Sequence, residues 1–179
     1  DILRVISSSP TDVTPVFEAI VQAGVDLVSS NQVTAMMNDK ATFWAVARAS
    51  TKGLSKVMKG LKNPIDPKSN FPSQVILSGE VMHLPDWTTI DLTPFEQKVH
   101  KQNNAMSSLF VPLLRGNDCL GVLAFVRDEK KAFSIDEIDI AKSFCDQAVI
   151  AIENVRLFQE AQDARAAAGA RGTLEQIFE

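Results

Sequence analysis

Apolar residues recur at steps of three and four in some stretches of the chain and alternate with polar ones in others, and these two rhythms divide it into helices and strands. Phe17, Ile20, Val21, Gly24 and Val28 share one helical face, with Thr14 as a capping hydroxyl and Pro15 preset for the first helical position. From Gln32 the pattern changes. Val33 to Met37 is a short apolar run, Asn38-Asp39-Lys40 is a turn, and Thr42, Trp44, Val46, Arg48 and Ser50 alternate with Phe43, Ala45, Ala47 and Ala49. That predicts a hairpin, and the period of two puts Trp44 and Arg48 on the same side of their strand. Residues 51–71, rich in Lys, Gly, Pro and Asn, read as a long surface loop of the kind that borders a site.

A short helix ending at Gly79 follows, then a strand at Glu80 to Leu84 stopped by Pro85. Thr93, Pro94 and Glu96 open another helix with the spacing of a capping box. Ser107 to Leu114 and Leu120 to Arg127 form a second hairpin around Arg115-Gly116-Asn117-Asp118. Ser134 and Glu137 make a second capping box ahead of a long helix whose stripe is Ile138, Ala141, Cys145, Ala148, Ile152 and Val155. Ile140, Phe144, Val149, Ile150 and Leu157 widen the apolar face beyond one sheet contact, so a second helix could share it. Gly169 and Gly172 then interrupt, leaving Thr173 to Glu179 as a tail. Ile2, Leu3, Val5 and Ile6 suit a short helix that stops in Ser7-Ser8-Ser9-Pro10. The order of elements predicts an α+β domain around an antiparallel sheet.

Composition narrows the function. The 179 residues are 45% hydrophobic, enough for one ordinary core, and the formal charge of −4 with dispersed Lys and Arg gives no electrostatic case for nucleic acid. No apolar run approaches the roughly 18 residues of a membrane span, so no direct membrane insertion is expected. Two cysteines in apolar segments suit a reducing, cytoplasmic setting. The chain opens without Met and reads as a piece of a longer protein.

Catalytic ingredients are thin. His83 and His100 lie in no ligand-pair spacing, and there is no Gly-x-Ser-x-Gly elbow, Gly-rich phosphate loop or Cys-x-x-Cys. Nothing in the residues requires an enzyme or a metal. Cys145 lies on the long helix's stripe as a core residue, and Cys119 starts a strand where partial exposure would permit redox chemistry. Polar and aromatic residues inside apolar strands fit a binding pocket better: Trp44 with Arg48, then His83, Asp86, Trp87 and His100 around the irregular middle of the chain. The competing reading makes Arg48 a solvated surface residue and Trp87 a packed core one.

Together Ser108 to Leu114, Leu120 to Phe125, Phe133-Ser134 and the run from Phe144 to Phe158 resemble a GAF domain of a bacterial multidomain signalling protein, of sensor histidine kinase or nucleotide cyclase type. The resemblance covers residues 13–160, with a short N-terminal entry helix over 1–12 and a helical linker or tail over 161–179, and implies a GAF-like, PAS-like antiparallel sheet of five to six strands, with terminal helices on one face and a lid from residues 51–104 over the other. The loop over residues 51–71 is the candidate source of the sixth strand. The resemblance further implies a sensory module that binds a small molecule and signals through its terminal helices to an output domain in the same parent chain. Candidate ligand contacts are Trp44, Arg48, His83, Asp86, Trp87, His100 and Ser108. Candidate homodimer or output positions are Ile138, Ala141, Cys145, Ala148, Ile152 and Val155. The alternative is a ligand-free dimerisation module whose pocket is filled by Trp44, Phe71, Trp87, Phe95 and Met106.

The cofactor and ligand are left unidentified. GAF domains that bind cyclic nucleotides carry an Asn-Lys pair, then Phe, three residues and Asp-Glu. Here the corresponding positions are Arg127-Asp128, Phe133 and Glu137-Ile138, which disfavours a cyclic nucleotide. Pro94 to Met106 lacks the cysteine at which bilin-binding relatives attach their pigment.

Overall fold

The computed structural model describes residues 13–178. The N-terminal helix expected over 1–12 lies outside them. In chain order the elements are α1 (Thr14–Leu27), β1 (Gln32–Asn38), β2 (Thr42–Ser50), β3 (Gly53–Ser55), β4 (Asn63–Pro64), α2 (Phe71–Ser78) and β5 (Met82–Leu84). A 3-10 turn (Trp87–Thr89), α3 (Pro94–Asn103), β6 (Ser107–Arg115), β7 (Asp118–Arg127) and α4 (Ile135–Phe178) complete the described residues.

The strands form one antiparallel sheet in the order β3-β2-β1-β7-β6-β5, with β4 paired to the far end of β2. The long loop does supply strands: β3 and β4 bring the total to seven. Pro112 costs β6 no ladder bond on its outer side, because β5 pairs with β6 only from Ser108 to Phe110. Gly121 is dictated by packing. A Cβ there would collide with the Met36 carbonyl oxygen on β1, so the two backbones approach only because the side chain is absent.

Each face of the sheet has its own core. α1 and α4 bury Val16, Ile20, Val21, Ala141, Cys145, Ala148, Ile152 and Val155 against Val33, Ala35, Leu109, Leu123 and Phe125. Across the sheet, Met36, Phe43, Phe110, Val122, Ala124 and Val126 meet Val75 of α2 and Trp87, with Phe71, Phe95 and Val99 packed alongside. This second layer is the lid expected from residues 51–104.

Buried Arg127, 1% exposed at the end of β7, ties the helix side together. It donates to the carbonyls of Val28 and Ser29 after α1 and of Lys131 and Ala132 before α4. Its Nη2 meets Glu137 Oε2 at 2.5 Å, and the guanidinium lies 3.8 Å from the Phe133 ring centroid. Ser134 and Glu137 form the expected reciprocal cap, each backbone N–H donating to the other's side chain at 2.9 and 3.1 Å.

α4 continues unbroken to Phe178, so Gly169 and Gly172 do not end it. Each glycine costs about 1 kcal/mol relative to alanine, but alanines and long-chain helix formers surround them, and Thr173 Oγ1 donates to the Gly169 carbonyl at 3.0 Å. Residues 156–177 are exposed on every side, about 33 Å of helix clear of the domain. Arg156 braces the point of departure through Glu153 and Glu160, and Arg115 from the β6–β7 turn also grips Glu153.

Candidate functional site

The structure separates Trp44 from Arg48. β1 and β2 shift register between Ala35 and Met36: Thr34 opposes Arg48 and Ala35 opposes Ala47, but Met36 opposes Ala45 and Met37 opposes Trp44. A bulge adds one residue to β2 and reverses the alternation on either side of it. Arg48 therefore faces the lid side with Thr34, whereas Trp44 shares the helix side with Met37. There Lys62 lies over the Trp44 ring, 4.5 Å from its centroid, and also pairs with Asp39 at 3.7 Å.

His83 also leaves the expected group. It opposes Leu109, a helix-side residue, and its Nε2 accepts from the Phe133 N–H at 3.0 Å while the two rings meet edge to face. Burial, and then repulsion from Arg127, hold its pKa below the ordinary histidine value, consistent with a neutral acceptor nitrogen. Asp86 caps the 3-10 turn, accepting from the Thr88 N–H at 2.9 Å and the Thr88 hydroxyl at 2.6 Å. These bonds lower its pKa.

Three candidates do come together. Trp87, 1% exposed, donates from Nε1 to Ser108 Oγ at 2.8 Å, its ring stacks on His100 at 6.1 Å, and Phe71 meets it edge-on at 5.4 Å. His100 Nδ1 lies 2.6 Å from the Ala105 carbonyl, which can only accept, so that nitrogen carries the proton. The same aromatic cluster holds Phe95 and Val99 from α3 and Phe110 from β6.

Sequence reasoning missed Glu96, buried in the lid layer, and Arg127, which braces the helix side of the sheet behind it. Glu96 sits at the capping-box position and its N–H does donate to Thr93 Oγ1, but its carboxylate turns away to accept from the Phe71 N–H at 2.6 Å. It joins α3 to the first turn of α2 and is 2% exposed. Burial pushes its pKa up to about 7 against the opposing pull of that hydrogen bond. The signal was a glutamate inside a helix otherwise facing an apolar layer. Arg127 and Glu137, two positions at which the chain departs from the cyclic-nucleotide pattern, form the ion pair described above.

The proposed dimer stripe takes a different place as well. Ala141, Cys145, Ala148, Ile152 and Val155 are buried inside their own chain against α1 and the sheet, with Ile138 packed beside them. The large apolar residues of α4 left exposed are Ile135 at its start, Ile140, Ile150, Leu157 and Phe158 on the segment bordering the domain, and Leu174 and Ile177 near its end. Burial raises the Cys145 thiol's pKa. Cys119 is half-buried, its pKa also raised by burial, and lines a hollow of about 190 Å³ between the β1–β2 and β6–β7 turns. Among the described residues no group of three or more His, Cys, Asp or Glu could hold a metal ion, and no helix is long and apolar enough to cross a membrane.

The chain is similar to solved signalling-protein structures. A methyl-accepting chemotaxis protein fragment, residues 122 to 287, superposes with a TM-score of 0.73 at 20% identity, covering 89% of this chain and 99% of that one. The blue-light-absorbing form of the Thermosynechococcus elongatus PixJ GAF domain gives 0.69 at 16% identity, covering 87% of this chain and 94% of that one. The GAF-B domain of DevS from Mycobacterium smegmatis gives 0.62 at 18%, covering 87% and 99%. A curated relative, the formate hydrogenlyase transcriptional activator FhlA of Escherichia coli, is 24% identical over 101 residues, 55% of this chain but only 15% of that protein's length. The family model for the GAF domain matches residues 17–154, which is most of the chain and takes in the whole sheet, the lid helices and most of both α1 and the part of α4 packed on the sheet, and the protein belongs to the GAF domain family.

Proposed function

We propose that this GAF domain is a sensory module in which a small molecule held on the lid side of the sheet biases the position of α4, and α4 carries the difference to an output domain. The observation that supports it most is the division of α4 itself. Its first half is fixed in the core by Ala141, Cys145, Ala148, Ile152 and Val155, while residues 156–177 stand free as a continuous helix. A displacement of the anchored half moves the free half as a lever. The ligand must prefer one of two states, with a coupling of about 1 to 3 kcal/mol for a useful response.

The exposed residues Ile150 and Leu157, seven apart on α4, suit a seam with a second copy of the chain, since that spacing keeps one side of a helix facing its partner. In this reading the module is a cytoplasmic homodimer within a bacterial signalling protein. That FhlA is a transcriptional activator and the superposed fragment belongs to a methyl-accepting chemotaxis protein supports regulatory output of this kind.

A second reading is favoured by one observation. The lid core is filled by the domain's own rings, Phe43, Phe71, Trp87, Phe95 and Phe110, which suits a ligand-free dimerisation module. Native mass spectrometry of the protein purified from its own host separates the two. A stoichiometric small molecule released on denaturation is expected from the sensor, whereas an unliganded dimer supports the second reading and contradicts the first.

A further inference from the structure

Polar side chains interrupt the lid side of the sheet in one place. Thr34 opposes Arg48 and Gln32 opposes Ser50, while Ser55 on β3 opposes Arg48 from the other side. Strand alternation before the bulge puts Gln32, Thr34, Arg48, Ser50 and Ser55 on one face. In register, the next residues along the sheet are Ala124 and Val126 of β7, members of the aromatic lid core. α2 packs on β6 and β7, so this polar block lies beside the helix, toward the β3 edge.

Arg48 is the charged member and is half-buried. Its Nε donates to Thr34 Oγ1 at 3.2 Å, and among the described residues nothing accepts from Nη1 or Nη2. Gln32 likewise makes no side-chain hydrogen bond to a described residue, whereas Ser50 Oγ accepts from the Lys52 N–H at 3.2 Å. β1, β2 and β3 carry no acidic residue, and Lys52 and Lys56 flank β3. The local charge is therefore positive in a chain whose net charge is −4. Burial opposes the charge on Arg48 without supplying a counter-ion.

We infer that this block is an anion subsite in which the free edge of Arg48 takes a carboxylate or phosphate group of the ligand, with Thr34 and Gln32 as neighbouring polar groups. A planar guanidinium offers two parallel N–H donors to one oxyanion, a geometry that a lysine ammonium does not reproduce. The rest of such a ligand would extend toward Ala124 and the aromatic core, so the preferred class is a small organic acid or phosphate ester with an apolar portion. The assignment rests on the sensor reading and adds the chemical class of its ligand.

Two probes, sodium malonate and inorganic phosphate, are titrated into the full chain at constant ionic strength made up with chloride, and the Arg48 Nε–H and the backbone amides are followed by NMR. Saturable shifts of Arg48 Nε–H, Thr34 and Ser55 are expected with at least one probe, and the tighter one separates carboxylate from phosphate. Arg48→Lys should weaken that binding by about tenfold, a change of about 1.4 kcal/mol. Arg48→Met should abolish it; both variants must first show the wild-type amide spectrum. Absence of saturable shifts at Arg48 with both probes overturns the assignment. Equal affinity in wild type and Arg48→Lys also overturns it, even if Arg48→Met fails to fold. An uncharged compound released from the host-purified protein would uphold the sensor and contradict the anion subsite. Saturable anion binding together with an unliganded host protein would uphold the subsite and contradict the sensor.

Discussion

On the side of the sheet that carries α1 and α4 the buried residues are mostly aliphatic and small, and the main polar member, Arg127, is satisfied by four carbonyls and a carboxylate. On the lid side, aromatic rings join the aliphatic packing, and among the described residues a carboxyl group is buried with no cation paired to it and nothing accepts from two nitrogens of an arginine. A closed aliphatic layer resists deformation because every displaced methylene loses contacts. A layer with unmatched polar groups can change its energy when a proton or an anion arrives. Under the proposed function, the first face transmits and the second receives.

The helix side should yield the largest effect. Arg127→Met removes the donor from Glu137 Oε2 and from the carbonyls after α1 and before α4, and denaturant unfolding should show a loss of about 3 to 5 kcal/mol. A loss below about 1 kcal/mol would mean that Arg127 is not what joins α1 to α4.

The lid side should respond to pH through Glu96. Its folded pKa of about 7 lies above the ordinary carboxyl value of 4.5, so between those values the folded state holds a proton that the unfolded chain has lost. Stability from this group is present in full below about pH 4.5, falls as pH rises toward 7, and is level above. Glu96→Gln keeps an oxygen for the Phe71 N–H and removes the ionisation. It should raise stability by up to about 3 kcal/mol at pH 8 and by little at pH 4.5. An equal effect at both pH values would show that Glu96 ionises normally in the fold.

The smallest effect on folding is expected where α4 leaves both cores. Leu157→Glu replaces a 53% exposed side chain and should change the unfolding free energy of the monomer by about 0.5 kcal/mol or less. The same substitution should shift sedimentation from dimer to monomer if the Ile150 and Leu157 edge is the seam. Dimers that persist would place the interface elsewhere.

Much of the fold was legible because local rules and the global arrangement agree. Gly79 in a left-handed conformation ends α2, Thr93 starts α3, the Ser134–Glu137 box starts α4, and the two hairpins fall where the alternation placed them. The site was less legible, for physical reasons that can be named. One bulge in β2 moved Trp44 to the opposite face from Arg48, and period-two reasoning has no means of locating a bulge. Ile138 to Val155 has the spacing of a dimer seam and also of an intrachain core stripe, and only the position of α1 distinguishes them. His83 and Asp86 have polar side chains suited to a ligand, but backbone N–H groups occupy them, that of Phe133 from across the fold and that of Thr88 from two residues on. Glu96 fitted a capping box, and its actual partner lies 25 residues earlier in the chain, beyond any local pattern.

Hydrogen exchange tests the central claim most directly. The protein as purified from its own host would be compared with the same protein unfolded, dialysed and refolded to strip any small molecule. The account predicts a released compound, together with faster exchange in the stripped protein in α2, in α3 and along α4 from residue 150 onward. A compound released with α4 exchange unchanged would contradict coupling between the lid and the helix.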